Sequence, residues 1–288
     1  MKKIIYLISL ILGISLLSGC DINEKTMDDI NIYTTTYPIQ FIINSLYEDH
    51  AKVYSVYPTG VDINKYELSQ RKLEEYSKSD LFVFNSLDKD RDYAVKMINL
   101  NANLKVIDVA TGMKYSNGIE ELWLNPNNYL MMAENLKKGL AEYINNPYLV
   151  EEINDKYKDL EYEISKLDAS LTEAISSANS KIIVTDSDLL KYLEKYGLKV
   201  ISLEENNDLS TNKIEEVKNL IKDNQIKYIY TTKESTNQTA SQLIKDYNIE
   251  KITINTMHST DGNITNSNDN YISIMTNNIN NLKKELYK

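Results

Sequence analysis

The chain has few of the residues that staple, bend or cradle. A single cysteine among 288 residues excludes any disulfide within the chain, so a packed core must hold the fold. With only eight glycines, neither a Gly-x-Gly-x-x-Gly nor a Walker-type phosphate loop occurs. The Gly-x-Ser-x-Gly elbow of serine hydrolases is also missing. Carboxylate pairs are too plentiful in so acidic a chain to mark a glycosidase, and no enzyme is expected. Basic residues are in deficit, 32 against 42 acidic, for a formal charge of −10. That argues against nucleic acid and against an electrostatic grip on anionic lipid. It is compatible with a cationic ligand, although excess charge also serves ordinary solubility. The aromatic content is lopsided, with 22 tyrosines beside three phenylalanines and one tryptophan. Together with abundant Asn, Lys and Ile, this reads as compositional bias rather than chemistry.

What is present begins at the N-terminus. Lys2 and Lys3 precede an apolar run from Ile4 to Leu17, which breaks at Ser18-Gly19-Cys20. A positive start, a short apolar stretch and small residues at its end mark a secretory signal peptide. The run is shorter than the roughly 20 residues of a membrane-spanning helix, although retention as an uncleaved anchor stays open. The break falls on the only cysteine and resembles a bacterial lipobox, which implies lipidation at Cys20 and a place on the extracytoplasmic face of the cell membrane. Residues 1–19 are therefore expected to be removed and residues 20–30 to form a polar tether. About 268 residues then remain, enough for two domains. Without Lys2 and Lys3, the mature charge is near −12.

Along the mature chain, β-branched and apolar runs alternate with helical periodicity. Strand signals lie at residues 32–36, 52–57, 80–84 and 104–109. The nearly all-apolar Leu81-Phe82-Val83-Phe84 suits a parallel sheet covered on both faces. Pro38 opens a helix to about Tyr47, and Ser69 caps another to about Ser77. Residues 126–143 read as helical. From Pro147, Val150, Ile153, Tyr157, Leu160, Ile164, Leu167, Leu171 and Ile175 form a continuous helical stripe. Its 29 or so residues would reach roughly 43 Å. A coiled-coil partner helix is one reading of it, and an intramolecular spine is the other. Strand signals return at residues 181–185, 199–203, 226–231 and 251–255, with helices at about 188–196, 211–222, 235–247 and 270–286. The fold class is α/β, with two similar lobes of about four mostly parallel strands each. The lobes are placed at residues 31–145 and 179–288, and the spine at 146–178. Ligands of such lobes bind outside the carboxyl ends of the strands.

Several segments occur in the order typical of one family. They are Thr35-Thr36-Tyr37-Pro38, Gly60-Val61-Asp62-Ile63-Asn64-Lys65-Tyr66-Glu67, Asp80-Leu81-Phe82-Val83-Phe84-Asn85, Glu121-Leu122-Trp123-Leu124-Asn125-Pro126, Val184-Thr185-Asp186 with Tyr196-Gly197, and Tyr271, Met275 and Leu282. They resemble the metal-binding solute receptors of bacterial ABC importers, the zinc and manganese group also called adhesin lipoproteins. The resemblance spans nearly the whole mature chain. It implies a monomeric receptor, anchored through Cys20, that delivers a divalent metal ion to an ABC permease and its ATPase.

The family carries its metal on four side chains, two per lobe and mostly histidines. Those positions fall here on Asn64, Glu121 and Asp186, with Asp261 or His258 as the fourth. Asp62, Glu67, Glu120 and Asp188 stand ready if the register is off by one or two, and Asp186 has a second reading as a helix N-cap. His50, the other histidine, is expected at the surface. Zinc prefers Cys sulfur and His nitrogen. The oxygen-rich set here suits Mn²⁺ better, with zinc, iron and calcium behind it. The alternative function is the same scaffold with its metal site lost, binding another small ligand or serving as an adhesin or accessory lipoprotein.

Overall fold

The computed structural model describes residues 27–58, 61, 63, 65–233, 235–258 and 269–288. The leader, Cys20, Asp62, Asn64 and Asp261 lie outside them. Two parallel four-stranded sheets carry the fold, as expected. The first comprises β1 (Ile30–Thr34), β2 (Ala51–Ser55), β3 (Leu81–Phe84) and β4 (Lys105–Asp108), in the order β2-β1-β3-β4. The second comprises β5 (Ile182–Thr185), β6 (Lys199–Ser202), β7 (Tyr228–Thr232) and β8 (Glu250–Ile254), in the order β6-β5-β7-β8. In each sheet the chain steps outward once, then returns past its first strand. The order therefore reverses between β1 and β3, and again between β5 and β7. Crevices at the carboxyl ends of such switch points are where α/β sheets bind ligands.

The connections follow the sequence closely in the first lobe. Helix α1 (Tyr37–Tyr47) has proline in its first turn and buries Ile39, Ile42, Ile43 and Leu46. Helix α2 (Gln70–Tyr76) starts at Ser69, whose hydroxyl accepts the Lys72 N–H. Helix α3 (Asp90–Leu100) was not anticipated. A short α4 (Glu121–Leu124) leads into α5 (Pro126–Tyr143) and the 30-residue α6 (Pro147–Ser176). Asn125 and Asn146 cap these two long helices by accepting the backbone N–H two residues on, and each is followed by proline.

Helix α6 settles the spine question in favour of an intramolecular helix. At 1.5 Å per residue it is about 45 Å long. Its stripe from Leu149 through Ile153, Leu160, Ile164, Leu167 and Leu171 to Ile175 is buried in one core shared by both lobes. Separate clusters cover the outer faces, around Phe82, Phe84 and Met97 in one lobe and Val184, Ile201 and Ile229 in the other. The segment Asp188–Tyr196 is a 3-10 helix that ends at Gly197, in the left-handed region at φ 99°. Helices α7 (Thr211–Lys222), α8 (Gln238–Tyr247) and α9 (Tyr271–Leu286) complete the second lobe. Among the described residues, no helix is long and apolar enough to cross a membrane.

A candidate metal centre between the lobes

The lobes meet through side chains placed by the segment before α5. Trp123 is buried, and its indole Nε1–H donates to the Thr256 carbonyl of the second lobe at 2.7 Å. The Tyr271 hydroxyl, from α9, donates back to the Trp123 carbonyl at 2.6 Å. Tyr271 also stacks on Tyr129 with centroids 3.8 Å apart, and the Tyr129 hydroxyl donates to the Pro38 carbonyl. The Lys195 ammonium donates to Asn125 Oδ1 at 2.7 Å. These bonds tie the two halves together beside the carboxyl ends of both sheets.

Within this junction Glu120 and His258 face each other. His258 Nδ1 lies 3.1 Å from Glu120 Oε1, with the side chains 5% and 20% exposed. Burial alone would push the Glu120 carboxyl up. The hydrogen bond and charge of His258 outweigh it and hold the carboxyl below its ordinary value. A partly exposed carboxylate oxygen and a buried imidazole nitrogen from opposite lobes thus meet, a pairing that also suits a transition-metal ion.

The other sequence candidates are placed as follows. Glu121 opens α4 and turns back on its own loop, where Oε2 accepts the Ser116 and Asn117 backbone N–H groups and the Asn117 amide. Asp186 is buried just beyond β5, and its Oδ2 accepts the Thr232 N–H at 3.0 Å. Ser187, not Asp186, occupies the N-cap of the following 3-10 helix. A cavity of about 10 Å³, room for one water-sized guest, lies beside Asp186 among Thr185, Leu189, Tyr230 and Thr232. Asp188 pairs with Lys191 at 2.7 Å, and Glu67 is exposed. Among the described residues, no three His, Cys, Asp or Glu side chains are arranged to hold a metal ion. His50, expected at the surface, is only partly exposed there. Its side chain is 20% exposed and bridges Asp28 and Glu152.

Two parallel-sheet lobes on a single spine helix, with polar groups converging between them, define a two-lobed substrate-binding protein. Residues 32–285 match the family profile described as zinc-uptake complex component A, periplasmic (ZnuA). The chain belongs to this ZnuA family. It is 25% identical over 310 aligned positions to the zinc-binding lipoprotein AdcA of Streptococcus pneumoniae (strain ATCC BAA-255 / R6), covering 99% of this chain and 61% of that protein. It is also 25% identical over 250 positions to the iron-binding protein YfeA of Yersinia pestis, with 81% and 80% covered. The chain thus spans about three fifths of the pneumococcal protein's length. Solved structures with this fold include the Zn(II)-bound ZnuA-like domain of S. pneumoniae AdcA, at TM-score 0.73 and 24% identity, covering 90% of this chain and all of that one. The metal-dependent lipoprotein YcdH of Bacillus subtilis matches at TM-score 0.75 and 20% identity, again over 90% of this chain and all of that one.

Proposed function

We propose that this chain is the metal receptor of an ABC importer, held at the extracytoplasmic face of the membrane by a lipid on Cys20. It captures one divalent cation between its lobes and hands it, as a monomer, to a permease and its ATPase. The observation that carries this reading is the pairing of the buried His258 with the partly exposed Glu120, contributed by opposite lobes of a ZnuA-family chain. The donors come from Glu120 or its neighbour Glu121, Asp186 and His258, with Asn64 and Asp261, which lie outside the described residues. Such a set offers one imidazole among oxygens, so Mn²⁺ is favoured over Zn²⁺, with iron and calcium less suited than manganese. That several relatives are named for zinc or iron makes the metal comparison the decisive measurement.

The test is metal analysis of the purified chain, followed by thermal unfolding with Mn²⁺, Zn²⁺, Fe²⁺ and Ca²⁺. An ion present at 100 times its Kd adds about 2.7 kcal/mol, a rise of several degrees for a chain of this size. Glu120→Gln and His258→Gln should each remove most of that rise. If no metal co-purifies and none shifts the transition, the scaffold has lost its metal. The adhesin or small-ligand reading then takes its place.

A further inference from the structure

We infer that Asn278 is a positioning residue that holds the turn presenting His258 to the site. The inference rests on the metal-receptor reading and goes one layer beneath it. His258 follows β8 by four residues, in a segment without regular structure. Such a segment places a side chain reproducibly only if its backbone is fixed from outside. Asn278 supplies that fixation from α9. It is 7% exposed and lies on a stretch whose other buried members are mostly apolar, including Met275, Ile279 and Leu282. Both ends of its amide engage one residue: Oδ1 accepts the Asn255 N–H at 3.0 Å, and Nδ2 donates to the Asn255 carbonyl at 2.8 Å. A two-point grip of this kind sets the orientation of residue 255 as well as its position.

Asn255 passes that orientation on. Its side chain accepts the Met257 N–H at 2.9 Å, which folds the chain back on itself. Met257 sits in the left-handed region at φ 56°. For a residue other than glycine this conformation is strained, and it persists only where the surroundings over-determine it. Trp123 grips the intervening Thr256 carbonyl from the opposite lobe. The backbone is therefore held at the two residues just before the strained one, and the side chain that follows it is the imidazole that meets Glu120. Asn278 reaches His258 only through this turn.

Calorimetric titration of MnCl2 and ZnCl2 into the full chain tests the inference, well below the melting temperature. The variants are Asn278→Leu, Asn278→Asp, His258→Gln and the Asn278→Leu/His258→Gln double. Asn278→Leu should weaken binding about 10–100-fold, the usual effect of losing a support behind a ligand. Asn278→Asp keeps the acceptor but sets an oxygen against the Asn255 carbonyl, and should weaken binding too. In the His258→Gln background Asn278→Leu should add less than about twofold, because the side chain it acts through is gone. An equal loss in both backgrounds, or no loss in either Asn278 variant, overturns the positioning role and leaves the receptor reading standing. A wild-type chain that binds neither metal overturns both.

Discussion

The two most deeply buried carboxylates among the described residues lie in different lobes and are treated in opposite ways. Glu285 of the second lobe is 0% exposed and Asp90 of the first is 1% exposed. Glu285 Oε2 accepts the Lys227 and Tyr228 backbone N–H groups, both at 2.9 Å, and Oε1 pairs with the Lys288 ammonium. It ties α9 to the start of β7 through backbone N–H groups and a cationic side chain. Asp90 has no such partner. The Tyr57 hydroxyl donates to it at 2.9 Å, and Thr35 lies beside it. The neighbouring Lys89 ammonium is turned to the Ile63 and Tyr66 carbonyls instead. Burial pushes the Asp90 carboxyl up to about 6 against the pull of these hydroxyls. Depth is therefore the same, and the donors decide what it costs. A charged partner and backbone N–H groups support an ion. Where only hydroxyls answer the carboxylate, desolvation wins and the protonated acid is favoured.

Removing Glu285 should give the largest effect. Glu285→Ala leaves two partly buried N–H groups and an ammonium without their acceptor. Breaking a buried pair in this way costs about 3–5 kcal/mol. Urea unfolding at pH 7 measures it, and a loss below about 1 kcal/mol would show that Glu285 is not the tie described.

Asp90 comes next, and its signature is a slope. Its folded pKa lies above 3.8, so the native chain holds the proton more tightly than the unfolded chain does. Stability then falls as pH rises from about 4 to about 6, and stays lower above that. At 1.36 kcal/mol per pKa unit the whole effect is about 3 kcal/mol. Unfolding free energies at pH 4, 5.5 and 7 should show this component in the wild type and lose it in Asp90→Asn. The same slope in both proteins would mean that another group titrates.

The same contrast explains what could be read from the sequence. The stripe on α6 and the apolar run of β3 were legible because each faces a single environment along its whole length. Helix α3 was not legible. It buries Asp90, Tyr93, Ala94 and Met97, while Val95, Ile98 and Leu100 point outward, so apolar residues surround it and no period emerges. Its N-cap position is Lys89, which gives no capping signal. At the site, two adjacent glutamates preceded Leu122-Trp123, and their order could not say which faces the cleft. The first turn of α4 decides it by carrying Glu121 back to Asn117 while Glu120 reaches His258. The support of His258 by Asn278 spans 20 residues of sequence, and it leaves no local pattern to find.

His50 offers the finest test of the contrast, because here the first lobe does give a titrating group charged partners. Nδ1 lies 2.9 Å from Asp28 and Nε2 lies 3.2 Å from Glu152. A neutral imidazole donates from only one nitrogen, so two facing carboxylates call for the imidazolium. Burial pulls its pKa down, but the bonds to Asp28 and Glu152 raise it further, leaving it above 6.5. The stability this adds is fully present below pH 6.5 and is lost as pH rises through the folded pKa. It should be smaller than the Asp90 effect, since Asp28 and Glu152 are 61% and 42% exposed and water and salt screen them. Proton NMR of the imidazole should give a midpoint above 6.5 that Glu152→Gln and added salt each lower. A midpoint at or below 6.5 in the wild type would mean that burial outweighs both carboxylates, and His50 would then follow the rule set by Asp90.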